Sequence, residues 1–238
     1  YDQEHGEAGS FEIPAGVTLK GAGPDSCSIA GSGSAFYVIG LGDGAVFESF
    51  TLLNGGSDQI GVLSEGGGAV RDISVGQPFD YSVVRADGSA HGPGNDVLIE
   101  GCVIGNALAP RTETALELYD GTHCSLRNCE VTGWLFGISI DGDARPLIED
   151  CIVSDNYYGV VLTSGGEGQV PDADLGGGSR GSLGGNTISA NLAVGVSNYT
   201  AADVWALWNT WSSDPPTEGP PFPSDFYNSA GGTVIWSR

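Results

Sequence analysis

The chain has 238 residues, with 8 Lys and Arg against 30 Asp and Glu, a formal net charge of −22 at pH 7. So acidic a surface repels nucleic acid and anionic lipid, which removes both as partners, while it attracts cations or simply stays well solvated. Forty glycines, more than twice the usual share of about 7%, together with 12 prolines exclude long helices, and no apolar run nears the roughly 18 residues that cross a bilayer.

The chain opens at Tyr1 with no basic stretch leading into an apolar one, so any export signal is expected to have been removed already. Residues 1–44 read as leading coils. From residue 45 a strand phrase recurs: "AVFESFTL" (45–52), "AVRDISVG" (69–76), "VLIEGCVI" (97–104), "SLRNCEV" (125–131), "LIEDCIV" (147–153) and "SLGGNTI" (182–188). One register sets Phe50, Ile73, Cys102, Cys129, Cys151 and Asn186 in a single column, at intervals of 22–35 residues. A second column follows each phrase, in "GVL" (61–63), "SVV" (82–84), "ALEL" (115–118), "GISI" (137–140), "GVVL" (159–162) and "GVSN" (195–198). Repeats of this length, with short strands and no helix between them, specify a parallel β-solenoid, because one turn cannot bury its apolar face until another lies on it. The expected fold is all-β, a parallel β-helix of about seven to eight coils in one domain, 1–238, with regular coils over 45–198.

That register decides most of the cysteines. Cys102, Cys129 and Cys151 fall in the inward column and read as reduced core thiols. Cys27 and Cys124 fall outside it and are the better candidates for oxidation. With no CxxC pair and three His, a zinc site is not expected. At the far end, residues 199–238 form a cap, with Trp205, Trp208, Trp211 and "DPPTEGPPFPSDF" over the last rung; an aromatic sugar platform is the other reading of these indoles. At the near end, either the mature chain was cut at Tyr1 or the first rung is expected to be incomplete, with an edge open to pairing with another chain.

The repeat resembles the right-handed parallel β-helix superfamily, the pectate-lyase-like proteins. Both ends are similar to a narrower microbial extracellular β-helix family: "YDQEHGEAGSFEIPAGVTLKGAG" to its first coil, and "DLGGGSRGSLGGNTISAN", "VWALWNTW" and "AGGTVIW" to its closing coils. The resemblance implies a right-handed helix and an extracellular or cell-surface setting, and brings no agreed catalytic residues. Enzymes of the superfamily combine Ca²⁺-binding carboxylates with an Arg or Lys base, and related hydrolases use clustered Asp.

The best local match to that chemistry is "YDGTHCSLR" with "DGDAR", which supplies Asp120, His123, Asp141, Asp143 and Arg145. Asp120 and Asp141 end equivalent strands and are expected one rung apart, where two carboxylates raise a pKa or share a cation. Asp–Gly is equally ordinary turn chemistry. Asp172 and Asp174, two apart in a Gly-rich loop, join Asp120 and Asp141 as possible Ca²⁺ ligands. Trp134, Phe136, Tyr157 and Tyr158, in "WLF" and "NYY", sit at matching turn positions and form either a sugar-stacking ladder or the apolar fill of a corner. His91 has no nucleophile beside it, and no nucleophile elbow, phosphate loop or dinucleotide fingerprint appears. The sequence therefore leads to a non-catalytic extracellular scaffold, self-associating through its ends into a filament or surface layer. The alternative is a polysaccharide-binding or polysaccharide-cleaving β-helix, a lyase or hydrolase if an enzyme, with Ca²⁺ as the possible cofactor.

Overall fold

A computed structural model describes residues 10–31, 35–54, 58–75, 79–88, 96–105, 113–166 and 168–237. The chain is a right-handed parallel β-helix. Among the described residues it has two nine-stranded sheets and one eight-stranded sheet, and all their strands pair in parallel. The first sheet runs from Phe11–Ile13 to Ser224–Asn228, the second from Thr18–Lys20 to Val234–Ile235, and the third from Ser28–Ala30 to Thr210–Trp211. Each recurring phrase is two strands joined by a corner: Arg145–Glu149 lies in the second sheet and Ile152–Ser154 in the third.

The corner between second and third sheets is nearly identical in every rung because one backbone conformation makes it. Its first residue takes left-handed φ: Ser49 (67°), Asp72 (48°), Gly101 (65°), Asn128 (52°), Asp150 (51°), Gly185 (75°) and Trp208 (61°). Asp, Asn and Gly tolerate that geometry, whereas a bulky side chain is strained there by about 1 kcal/mol or more. The next residue points inward, which gives the column Phe50, Ile73, Cys102, Cys129, Cys151 and Asn186, all buried. Cys27 continues it at the front, since Thr51 N–H donates to the Cys27 carbonyl as Ser74 N–H does to that of Phe50. The expectation that Cys27 lies outside the column is thus corrected. Cys124 also turns inward from the second sheet and is 1% exposed, so burial, not oxidation, is its fate; burial pushes its thiol up. All five cysteines are free.

Where the column changes to asparagine, side-chain amides take over from hydrophobic packing. Asn186 accepts the Cys151 N–H (3.0 Å) and donates to the carbonyls of Ile148 and Leu175 and to Asn209 Oδ1, each at 3.0 Å. A second ladder, which the sequence reading missed, fills the corner between third and first sheets. Asn156 accepts the Trp134 N–H (3.0 Å) and donates to the Val131 carbonyl, and Asn191 takes the same position one rung on. Gly137 and Gly159 leave room for it: a Cβ on either would stand within 3 Å of the amide nitrogen of Asn156 or Asn191.

One phrase breaks the pattern. In "DLGGGSRGSLGGN" the second-sheet strand is Asp174–Gly176, with Asp174 opposite Leu147, and Ser182–Gly185 belongs to a loop folded back at the corner. Asp174 is 1% exposed, and its carboxylate accepts the N–H groups of Gly176, Gly178 and Ser182 at 3.0–3.2 Å. That carboxylate ties the loop. In the segment expected to be a cap, residues 204–206, 210–211, 224–228 and 234–235 continue all three sheets. The proline-rich stretch covers the outer side of the last first-sheet strand: the Thr217 carbonyl accepts the Asp225 and Phe226 N–H groups, and Gly219 N–H donates to Phe226. Trp211 packs edge-on against Phe226, whereas Trp208 stands 61% exposed at the strained corner position.

Candidate functional site

The corner between third and first sheets carries four of the twelve exposed large apolar side chains among the described residues. The residue just before successive first-sheet strands is Phe36, Gln59, Tyr81, Glu113, Leu135 and Tyr157, and Leu192 occupies this position one rung further on, where its N–H donates to the Asn156 carbonyl. Phe36 and Tyr81 are each 56% exposed, Tyr157 42% and Leu192 55%. With rungs about 4.8 Å apart, Tyr81 and Tyr157 stand about 14 Å from one another along the helix axis. The result is a ridge parallel to that axis, aromatic or aliphatic at five of seven steps and polar at two.

Two recesses open on the ridge. One, of about 190 Å³, is lined by Tyr81 and Phe136 together with Asp80, Glu113 and Thr114, so it combines aromatic rings with carboxylates. The other, of about 340 Å³, lies at the end of the ridge between Ala190–Leu192 and the loop of Ser212, Ser213, Thr217 and Pro223–Asp225. Asp225 holds that loop. It is 2% exposed and accepts hydrogen bonds from the Ser212 N–H (2.7 Å), the Ser213 hydroxyl (2.5 Å) and the Thr217 N–H (2.8 Å) and hydroxyl (3.1 Å). Burial alone would raise its pKa, but these donors outweigh burial and hold it below the usual carboxylate range.

Of the four aromatic residues expected to stack sugars, the structure leaves Tyr157 exposed, Phe136 and Tyr158 half-buried and Trp134 buried. Tyr157 is on the ridge. Phe136 and Tyr158 sit one above the other with ring centroids 5.5 Å apart, so their faces are largely spent on one another, although Phe136 still walls the smaller recess. Trp134 is fully buried and its indole N–H donates to the Ile104 carbonyl (3.0 Å), so it is corner fill and offers no face to a ligand. The cause is register. Tyr157 N–H bonds to the Trp134 carbonyl, which sets Tyr157 opposite Leu135 and Trp134 opposite Asn156. A one-residue offset turns a side chain from outside to inside.

At the opposite corner, between first and second sheets, an acidic cluster surrounds Arg85. Its guanidinium lies 3.1 Å from Asp87 and 3.4 Å from Glu117 and rests 4.9 Å over the Tyr119 ring. Burial raises the pKa of Glu117, with Asp141 and Asp87 adding to it against the opposing pull of Arg85. Burial likewise raises Asp141, helped by Asp120, while a hydrogen bond from Ser139 opposes it, and Asp120 is raised by burial and by Asp87 and Asp143. Asp120, Asp141 and Asp143 thus share one neighbourhood, as expected, but the residue one rung above Asp120 is Gly142, whose Cβ would overlap the Asp120 carboxylate. Arg85, Asp87 and Glu117 were missed because alternate outward positions of a strand carry no spacing signal of their own. Arg145 is exposed and His123 half-buried beside it in the second sheet, and Asp172 is half-buried. Among the described residues no three His, Cys, Asp or Glu side chains come together to hold a metal ion. His91 lies outside the described residues.

Three parallel sheets closed into a right-handed helix define the class of protein. The family model described as "Protein of unknown function (DUF1565)" matches residues 94–218, more than half of the chain, and the chain belongs to that family. No curated protein and no solved structure matches it.

Proposed function

We propose that the chain is an exported, non-catalytic β-helix scaffold that binds a polysaccharide along the ridge of Phe36, Tyr81, Leu135, Tyr157 and Leu192. The ridge itself carries the reading. Apolar faces exposed at four of the seven steps, with the Asp80 and Glu113 carboxylates beside Tyr81 to accept hydroxyl hydrogens, suit the apolar and hydroxylated faces of pyranose rings. Export is compatible with four cysteines buried beyond the reach of an oxidising medium. Filament formation through the ends has less support, because residues 217–219 already occupy one terminal strand edge. A glycan array probed with wild type and Tyr157→Ala tests the reading: retained binding to some glycan by wild type, lost in the variant, is expected, and silence across the array for the wild-type chain refutes it.

A catalytic reading rests on the carboxylates around Arg85, three of them with raised pKa, because such shifts collect where acid–base work is done. Release of reducing ends from soluble polysaccharides between about pH 4 and 8, abolished by Glu117→Gln, would establish it.

A further inference from the structure

We infer that the recess at the end of the ridge is a subsite for the terminal residue of a neutral glycan chain, so that this protein recognises chain ends as well as chain bodies. The inference rests on the ridge being a polysaccharide site. Leu192 belongs to both features: it is the last apolar step of the ridge and a wall of the recess. A chain lying along the ridge therefore runs into the recess, where the loop 212–223 stands across its path and stops it.

The lining has the chemistry of one sugar ring. Leu192 and Pro223 offer carbon surface; of the hydroxyls, those of Ser213 and Thr217 already donate to Asp225 and Ser212 Oγ accepts the Ala190 N–H. Ser224 is the informative one: it is 7% exposed and its Oγ has no hydrogen-bond partner within the chain. A buried hydroxyl left unpaired costs free energy that a ligand hydroxyl would recover. The one carboxylate in the recess, Asp225, is saturated by four donors from its own loop and pairs with no added charge. Against a net charge of −22, a uronate terminus would be repelled and a neutral hexose or pentose would not.

The test uses linear gluco-, manno-, galacto- and xylo-hexaoses, each in native and borohydride-reduced form, with a cyclic glucohexaose as an endless control, measured by calorimetry against the full chain. The subsite predicts that a hexaose binds, that the cyclic form binds at least tenfold more weakly, and that Ser224→Ala weakens the linear chain about tenfold by removing the one free hydroxyl. Leu192→Glu, an exposed substitution, gives the same loss without touching the fold. Tyr157→Ala reports on the ridge alone. If Tyr157→Ala weakens binding while Ser224→Ala and the cyclic control leave it unchanged, the end subsite is wrong and the ridge stands. If no hexaose binds the wild-type chain, both fall.

Discussion

The two corners that flank the third sheet are built on opposite principles. The corner leading into it uses one left-handed residue and one inward side chain in every rung from Ser49–Phe50 to Trp208–Asn209. The corner leading out of it varies in length and places Phe36, Tyr81, Tyr157 and Leu192 in solvent. The first repeats because an error there would misalign every rung above. The second varies because its outer face bears no register, and that freedom is what lets a binding surface be written on it.

The sharpest way to break the comparison is to remove an amide from the regular corner. Asn186 makes four hydrogen bonds to three rungs, and Asn186→Ala removes the side-chain acceptor of the buried Cys151 N–H and takes one of two side-chain donors from each of the Ile148 and Leu175 carbonyls. The expected loss is about 3 kcal/mol or more, read as a fall in urea midpoint. Trp134→Ala, in the interior of the variable corner, follows at about 3 kcal/mol, because it empties a fully buried indole site and removes the indole donor to the Ile104 carbonyl. On the outside of that same corner Tyr157→Ala should shift stability by no more than about 0.5 kcal/mol while weakening glycan binding, which separates the structural layer of the corner from its working surface.

How much of this was legible in sequence follows the same division. The column Phe50–Ile73–Cys102–Cys129–Cys151–Asn186 could be read because its two-residue corner has constant length, so strand phrases align without gaps. Even there the signal faded at the ends: Cys27 was missed because its rung is preceded by "GPDS", and "SLGG" passed for a strand because the Asp174 loop returns the chain to the corner it left. The Trp134 assignment failed at the variable corner although aligning "WLF" with "NYY" gives the observed register: Trp134 falls at the inward step opposite Asn156, and aromatic content alone does not tell an inward ring from an outward one. Asn156 and Asn191, the inward residues that pin that register, carried the information, but an Asn in "SDNYY" looks like any turn residue until its amide is seen to bond Val131. The Arg85 cluster is assembled across rungs from alternate outward positions, so no local window contains it.

Charge separates the corners that flank the first sheet as well, and pH reads the difference. At the end of the ridge Asp225 has a lowered folded pKa, so it adds stability that is present above the unfolded value, about 3.9, and is lost as pH falls through the folded one. Beside Arg85, Glu117 and Asp141 have raised folded pKa values, so they cost stability that is absent in acid and grows as pH rises past about 4. Asp225→Asn should therefore lower the melting temperature at pH 7 and lose that effect in acid. Asp141→Asn should raise it at pH 7 by a smaller amount.

A gain in stability, not a loss, tests the regular corner at its one exception. Trp208 holds left-handed φ where the other rungs use Ser, Asp, Asn or Gly, and it is 61% exposed. Asn stands at the same position in the rung of Asn128, and Asn tolerates this conformation by bonding its own backbone. Trp208→Asn should gain about 0.5–1 kcal/mol, read as a rise in melting temperature. A loss instead would mean that the indole stabilises the last rungs by more than the strain it imposes, so that the repeating corner has been spent, at its final step, on closing the helix.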